Sequence, residues 1–266
     1  MPVPVNLNGV RPGLAGAPLP RMEGAVRELW ESRGAGSSAS LHIIEAASRV
    51  PISNQAGESS CVANATCDGL EICAVRDGRP HVDLSRNAHY YWTRCLHGAQ
   101  NEDAGTHISL SLRQAATLGV IPESQWPYVE ERVNKAPTND EILLASQNLV
   151  TGSYELYGSG EDKGDMLRLA LRADQPVIGA FWLGPEYRNP SPGQVMGVPG
   201  SRWGLHAQLF VGYRKGSGGE YEYLVRNSWG EGWGLDGYIW VKSEYACDDR
   251  YVFDTYAFTN LPELVL

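Results

Sequence analysis

The spacing of apolar positions changes about half-way along the chain. Between about residues 41 and 150, the apolar periodicity with its caps and glycine stops is typical of helices. Ser59 and Ser60 can cap the first of these helices, and Gly78 and Gly119 can end the first two. Helices are predicted at Cys61–Arg76, Ile108–Leu118 and Asp140–Asn148.

From about residue 151 onwards, the pattern favours strands bounded by Gly, Pro or Asp. The glycine-rich turn from Gly216 to Gly219 predicts a hairpin between two of them. Helices followed by strands indicate an α+β protein, with a helical lobe at 41–150 and a β lobe at 151–266. Strands are predicted at Pro176–Trp182, His206–Arg214, Tyr221–Ser228, Gly237–Lys242 and Tyr251–Thr259.

Residues 1–40 are predicted to form an N-terminal extension. Residues 1–20 contain five prolines and three glycines, which indicates an extended arm. A short helix with one apolar stripe and a flexible link at 34–40 follow. We expect this helix to be an added packing element, with a blocking or partner-binding helix as the alternative. The stripe consists of Met22, Ala25, Val26, Leu29 and Trp30.

Composition excludes some classes of protein. The 266 residues are 42% hydrophobic and 20% charged, which is typical of a globular chain. The net charge of −9 argues against nucleic acid as a partner. The longest apolar run, Val177–Leu183, is too short to cross a membrane, and the N-terminus lacks a signal-peptide pattern. We expect a cytoplasmic protein, one exported without a signal peptide, or a piece cut from a longer protein.

The odd number of cysteines draws attention to one thiol. With five cysteines, at least one cannot pair within the chain. Cys61 lies at the first turn of the first predicted helix, where free N–H groups and a partial positive charge stabilise a thiolate. A thiolate is the nucleophilic form of cysteine. Cys61 is therefore a candidate nucleophile, and the other four are expected to be buried or idle.

Two residues in the second half can complete a nucleophilic site. His206 opens a predicted strand, and a neutral imidazole can accept a thiol proton and later return it to a leaving amine. Asn227 begins a glycine-rich segment, and its side-chain carbonyl can hold the second imidazole nitrogen and fix the tautomer. Together with Cys61, these residues predict a Cys–His–Asn triad.

At these positions the sequence resembles the papain-like cysteine peptidases. The order Gln55, Cys61, His206, Asn227 matches the order in the family. Gln55 stands six residues before Cys61, as the oxyanion-hole glutamine of the family stands before its nucleophile. The matching motifs are Pro51–Gln55, His206–Ala207, Val211–Tyr213, Asn227–Gly230, Trp233–Gly234 and Gly237–Tyr238.

The chain also departs from the family pattern. Glu58 stands where the family has its first disulfide cysteine, so Cys95, near the usual partner position, is expected to be free. Val62 and Asn64 replace bulky aromatic residues behind the nucleophile. These differences indicate a divergent, bacterial-type member, and they prevent the substrate preference of the better-known members from being carried over.

The resemblance implies a fold and a mechanism. The fold is a papain-like α+β fold of two lobes, with an antiparallel, β-barrel-like C-terminal lobe and the active site between the lobes. The activity implied is that of a cysteine endopeptidase, in which Cys61 forms a thioester and His206 acts as acid and base. His206 is expected to be protonated in a resting ion pair, Asn227 to orient it, and Gln55 to form part of the oxyanion hole.

Two further residues and the partners follow from the same resemblance. Gly105 is expected to line the substrate side of the cleft, and Trp229 to pack over the Asn–His pair and shield it from water. The substrate would be a peptide or protein, and the reaction needs no metal or organic cofactor.

Other functions remain open at this stage. The same triad could perform acyl transfer, deamidation or ligation, because a thioester accepts any nucleophile. The protein could also be an inactive binding module, or a protease toxin or effector held by an inhibitor or immunity protein. A zinc site from Cys95, His97 and His89 is a weak alternative, because the spacing matches no recognised zinc pattern. Surface or satisfied core positions are expected for His42, His81 and His107, and a solvated acidic face for Glu155, Glu161, Asp162 and Asp165.

Overall fold

The protein is described by a computed structural model covering residues 19–21, 28, 40–150 and 152–266. The apolar stripe predicted within residues 22–30 and most of the arm and link lie outside these residues. Of the arm, Leu19 packs against the core, and Pro20 accepts a hydrogen bond from the backbone N–H of Glu155 at 2.9 Å. Part of the extension therefore contacts the second half of the chain.

The first half contains four α-helices in the described residues, and the first of them is central. This helix, α1, begins at Cys61 as predicted, and every residue from 62 to 75 is buried. A Cβ added at Gly69 would lie 2.5 Å from the Phe258 ring, so glycine lets α1 approach the sheet closely. The helices are α1 (Cys61–Arg76), α2 (Arg86–Cys95), α3 (Ile108–Thr117) and α4 (Asn139–Ala145), with 3₁₀ turns at Glu45–Arg49 and Glu130–Arg132.

The second half forms most of one sheet. Its strand order is β2-β8-β3-β5-β6-β7-β4, and β1 from the first half pairs with β5. Neighbouring strands are antiparallel except β4 and β7. The described strands do not close into a barrel, so the barrel-like expectation fits only loosely. The strands are β1 (Leu41–Ile43), β2 (Ser153–Leu156), β3 (Val177–Leu183), β4 (Val195–Met196), β5 (Gly204–Lys215), β6 (Tyr221–Arg226), β7 (Tyr238–Lys242) and β8 (Val252–Phe258).

The predicted α+β order and the β5–β6 hairpin are confirmed, while two longer helices lack a matching prediction. Both helices bury polar residues, which hides their apolar stripe. In α2 the buried residues include Arg86 and Arg94, and in α5 they include Lys163 and Arg168. The remaining helical elements are α5 (Glu161–Arg172), α6 (Ser243–Ala246) and a 3₁₀ turn at Pro185–Arg188.

A buried ion cluster joins the helices to the sheet. Arg226, the last residue of β6, donates from Nε to the Asp68 carboxylate in α1 at 2.8 Å. Arg86 in α2 donates to the other oxygen of Asp68 at 2.7 Å. Burial alone would raise the pKa of Asp68, but the two guanidinium groups outweigh it and hold that pKa below its usual range. Asp68 is therefore a buried carboxylate shared by two arginines.

The same arginine holds the backbone that leads to the first helix. Its Nη1 donates to the carbonyl oxygens of Ala47 at 3.2 Å and Val50 at 3.0 Å, and its Nη2 donates to that of Pro51. Ser53 donates its hydroxyl to Asp68 at 3.0 Å. Segment 47–53 is thus fixed to both α1 and β6.

Replacing Arg226 should therefore destabilise the whole fold. Arg226→Gln is expected to lower the free energy of unfolding by about 3–5 kcal/mol, because it leaves Asp68 buried with one cation fewer. Arg214→Gln is the matched control, since Arg214 lies on the neighbouring strand and pairs with Glu222 at 2.6 Å near the surface. For Arg214→Gln we expect the free energy of unfolding to fall by about 1 kcal/mol or less. Urea unfolding measures both, and equal losses would contradict the role of the cluster.

Candidate active site

The fold brings together the residues that the sequence singles out. Cys61 is the first residue of α1, and Gln55 lies in the loop before it. His206 is near the start of β5, opposite Phe181 of β3. Asn227 follows β6 directly, next to the anchored Arg226. The helical half thus supplies two of these residues, and the sheet supplies the other two.

Four of the predicted residues and the supporting tryptophan meet in one groove. The groove has a volume of about 900 Å³, and both halves of the chain line it. Its walls include Gln55, Cys61, Gly105, His206 and Trp229. Asn227 lies behind this wall and reaches the groove through His206.

His206 and Asn227 form a short, oriented hydrogen bond. His206 Nε2 lies 2.7 Å from Asn227 Oδ1. The same oxygen accepts the backbone N–H of Ser228 at 2.8 Å, which assigns it as the carbonyl end of the amide. A carbonyl only accepts, so Nε2 carries the proton and Nδ1 is left as the basic nitrogen of the neutral ring. This is the tautomer that can take a proton from a thiol.

Trp229 packs against His206. The centroid of the Trp229 ring lies 4.7 Å from the centroid of the His206 ring, and the angle between the two ring planes is 32°. Trp233 and Tyr187 support it by edge contacts at 5.5 and 6.0 Å. Only 6% of His206 is exposed. Shielding of the Asn–His pair from water by Trp229 stays a prediction.

The amide of Gln55 is held at both ends. Its Oε1 accepts the hydroxyl of Ser228 at 2.7 Å, and its Nε2 donates to the carbonyl of Glu58 at 2.7 Å. The backbone N–H of Gln55 also donates to Ser228 O at 2.9 Å. Because an amide nitrogen has two hydrogens, one N–H of Gln55 remains for a ligand in the groove.

Burial shifts the two titrating groups of the site towards their neutral forms. Desolvation raises the pKa of the Cys61 thiol, and backbone hydrogen bonds, among them one from Ala207, only partly offset it. Desolvation lowers the pKa of His206 to about 4, against the opposing effect of its bond to Asn227. Both shifts oppose the resting ion pair expected from the sequence, and they favour a neutral thiol beside a neutral imidazole.

Gly105 lines the groove in a conformation that suits glycine. Its φ is +76°, in the left-handed region. Its N–H donates to Tyr90 Oη at 2.9 Å, and that hydroxyl donates to Asp103 at 2.8 Å. The loop carrying Gly105 is therefore fixed to α2.

Asp254 also lines the groove, although no motif in the sequence indicates it. Register shifts between β3 and β8, so that Asp254 and Thr255 together lie opposite Gly179. Asp254 takes a φ of +49° at this bulge. Partial desolvation raises the pKa of its carboxyl, and nearby His107 opposes the shift. A bulge depends on strand pairing, so the local sequence pattern carries no signal for it.

The remaining histidines and cysteines have other surroundings. His89 contacts the Ser111 hydroxyl at 2.6 Å, and His97 contacts Thr106 at 3.2 Å. Within the described part of the chain, no three His, Cys, Asp or Glu side chains gather as a metal site would require. All five cysteines lie in this part and carry free thiols, Cys95 among them. On α5 the acidic residues Glu161, Asp162 and Asp165 are exposed, as predicted, whereas Glu155 is half-buried in β2 and pairs with Arg21 at 3.2 Å.

Comparisons with known proteins identify the class of this site. The family model described as papain family cysteine protease matches residues 44–253, which is most of the chain. The chain therefore belongs to the papain family of cysteine proteases, and it is a papain-like cysteine peptidase.

Relatives and solved structures agree with this membership. Papaya proteinase 4 of Carica papaya is 31% identical over 72% of this chain, and the match spans 52% of that protein. An uncharacterized peptidase C1-like protein of Acanthamoeba polyphaga mimivirus is 23% identical over 78% of this chain and 69% of its own length. The crystal structure of xylellain, a cysteine protease from Xylella fastidiosa, has a TM-score of 0.74 at 23% identity, covering 87% of this chain and 90% of that one. The papain-like fold is thereby confirmed.

Among the described residues, no helix is both long and apolar enough to cross a membrane.

The buried imidazole should make stability depend on acid pH. The pKa of His206 lies near 4, below its unfolded value, so the unfolded state binds this proton first as the pH falls. Its contribution to stability is present above about pH 6.5 and is lost between there and pH 4. We expect His206→Gln to remove this loss, up to about 1.4 kcal/mol per pH unit.

The measure is the difference in free energy of unfolding between variant and wild type at each pH. Taking differences is necessary because burial raises the pKa of Glu58 and Glu123 to about 7, and their titration acts in the opposite sense. His107→Gln serves as the exposed control. A difference that stays constant from pH 7 to 4.5 would contradict the shift at His206.

Proposed function

We propose that this protein is an endopeptidase that hydrolyses peptide bonds through a thioester on Cys61. The observation that carries the proposal is the Nε2–Oδ1 bond between His206 and Asn227, which leaves Nδ1 as the basic nitrogen of a side chain that lines the same groove as Cys61 and Gln55. Peptide substrates would lie extended in this groove. Asn227 would keep the imidazole in the reactive tautomer through both halves of the reaction.

In the first half of the reaction, His206 Nδ1 takes the Cys61 proton as the sulfur attacks the substrate carbonyl carbon. The carbonyl π electrons move to oxygen and form a tetrahedral oxyanion. The free N–H of Gln55 and the backbone N–H of Cys61 would stabilise it, since the first N–H groups of a helix have no partner within the helix. Because burial opposes a resting ion pair, the proton would move as the sulfur attacks.

In the second half, the imidazolium returns the proton to the leaving amine, and the C–N bond breaks to leave the thioester. Water then attacks the thioester carbonyl while His206 accepts a proton from it. Collapse of the second tetrahedral intermediate breaks the C–S bond and releases the carboxylic acid, and the imidazolium returns its proton to the Cys61 sulfur. The balance is one water consumed for each peptide bond cleaved. Acyl transfer to an amine would use the same thioester, and products lacking the mass of water would reveal it.

An epoxysuccinyl peptide should alkylate Cys61 alone. We expect one adduct by intact mass on the wild type, because the groove holds a thiol beside a base. Cys61→Ala should give no adduct and no peptide turnover while keeping its fold, and His206→Ala should react far more slowly. Cys95→Ala is the matched control, since Cys95 is also a partly exposed free thiol. An adduct that persists in Cys61→Ala would contradict the assignment of the nucleophile.

Asp254 should favour substrates with a basic side chain. Its carboxyl group lines the groove, where a guanidinium or ammonium group could bind it. In a peptide library scanned one position at a time, we expect Arg or Lys to be preferred over Leu at one position. Asp254→Asn should reduce the ratio between kcat/KM for the Arg or Lys peptide and kcat/KM for the Leu peptide about tenfold.

Asp236→Asn is the control for this experiment. Asp236 has nearly the same backbone φ as Asp254, 50° against 49°, and it is not among the residues that line the groove. Asparagine tolerates the left-handed conformation, so both variants keep the backbone and remove one charge. An unchanged Arg-to-Leu ratio in Asp254→Asn would exclude this residue as the determinant.

A further inference from the structure

The loop of residues 55–60, called here the oxyanion loop, joins Gln55 to Cys61. Its turn is closed by two bonds between the same residues: Glu58 N–H donates to Gln55 O at 3.1 Å, and Gln55 Nε2 donates to Glu58 O at 2.7 Å. Tyr128 Oη donates to Gln55 O at 2.8 Å. The position of the Gln55 amide therefore depends directly on the backbone of Glu58.

Two carboxylates from other parts of the chain hold this loop from outside. The N–H of Ser59 donates to both oxygens of Asp103, at 3.0 and 3.2 Å. The N–H of Gly57 donates to Glu130 Oε1 at 3.3 Å. The residues on either side of Glu58 are thus each bound to a negative charge.

Glu58 itself is buried between these anchors. Only 5% of the residue is exposed, and neither carboxyl oxygen has a hydrogen-bond partner among the described residues. Burial raises the pKa of Glu58 to about 7, reinforced by Asp103 and Glu130 and opposed by the hydroxyls of Tyr128 and Ser60. The group therefore changes its charge near neutral pH, at the point where the loop supports Gln55.

We propose that Glu58 is a positioning residue whose neutral carboxyl group allows the oxyanion loop to hold Gln55, and whose ionisation loosens that loop. This inference rests on the proposed role of Gln55 in catalysis. Ionisation places a third negative charge beside Asp103 and Glu130, and the nearby hydroxyls of Tyr128 and Ser60 offset the cost of burying it only in part. Movement of the side chain towards water relieves the repulsion, and it displaces the carbonyl that holds the Gln55 amide.

The sign of the effect follows from the titration. Below about pH 7 the carboxyl group is neutral and the loop is intact. Above that pH the charged form accumulates, and stabilisation of the oxyanion weakens. Because the oxyanion exists only in the transition state and intermediate, the loss should fall on kcat more than on KM.

The test compares the pH dependence of kcat in wild type and Glu58→Gln. In the wild type we expect kcat to fall about tenfold or more between pH 6 and 8.5, within the 10²–10³ that loss of one oxyanion donor costs. Glu58→Gln cannot ionise, so its kcat should stay level over that range. Glu123→Gln is the matched control, since burial also raises the pKa of Glu123 to about 7, and its carboxylate accepts the backbone N–H of Tyr128 outside the groove. This control should keep the wild-type profile.

Two further measurements separate this inference from its alternatives. The rate of Cys61 alkylation by iodoacetamide reports on the thiol without an oxyanion, so Glu58→Gln should leave its pH profile unchanged. A shift of that profile equal to the shift in kcat would place the effect on the Cys61–His206 pair and overturn the proposal. A pH profile of kcat that is the same in wild type and in Glu58→Gln would also overturn the proposal.

Hydrogen exchange of the loop can be measured without turnover. After correction for intrinsic rates, protection of the Gly57 and Ser59 amides should fall in the wild type above about pH 7 and stay constant in Glu58→Gln. Constant protection in the wild type would overturn the inference while leaving the peptidase intact. Absence of turnover with the expected exchange would instead show that the proposed function is wrong and that the loop still responds to Glu58.

Discussion

The arrangement of the site depends on one buried interaction, the ion pair between Arg226 and Asp68. Arg226 ends β6 directly before Asn227, and Asp68 lies two turns into the helix that begins at Cys61. The pair therefore fixes the distance between the helix with the thiol and the strand with the imidazole support. Two charges in a dry interior are costly, and here a second arginine, a serine hydroxyl and three backbone carbonyls complete their hydrogen bonds.

This rigidity has a chemical consequence at the groove. The packing that fixes His206 also removes water from it, and desolvation favours the neutral ring. A neutral base with a fixed tautomer can accept a proton from a thiol that is itself held neutral by burial. The bond to Asn227 then has two effects, because it orients the ring and partly offsets the cost of charging it. Orientation and electrostatics at His206 therefore come from the same contact.

The sequence predicts those parts of the site that local patterns encode. Cys61 at a helix start and Asn227 within a glycine-rich turn are visible as such, and their order with Gln55 and His206 indicates the family. The apolar periodicity does not reveal the helices at 86–95 and 161–172. Residues such as Arg86 and Arg168 are buried in them because they pair with acidic side chains. Asp254 lines the groove at a bulge in the pairing of β3 with β8. Features that arise from partners far away in sequence leave no periodic signal.

In the oxyanion loop, hydrogen bonds occupy the place where the family resemblance implies a disulfide. With Glu58 in place of a cysteine, the loop is held by N–H groups that donate to Asp103 and Glu130. Both carboxylates accept these bonds, and their charge makes ionisation of buried Glu58 less favourable. A disulfide constrains a loop to the same extent at any pH, whereas in our proposal these contacts couple the loop to the protonation of Glu58. The anchoring of the loop and its proposed pH sensitivity therefore involve the same two carboxylates, Asp103 and Glu130.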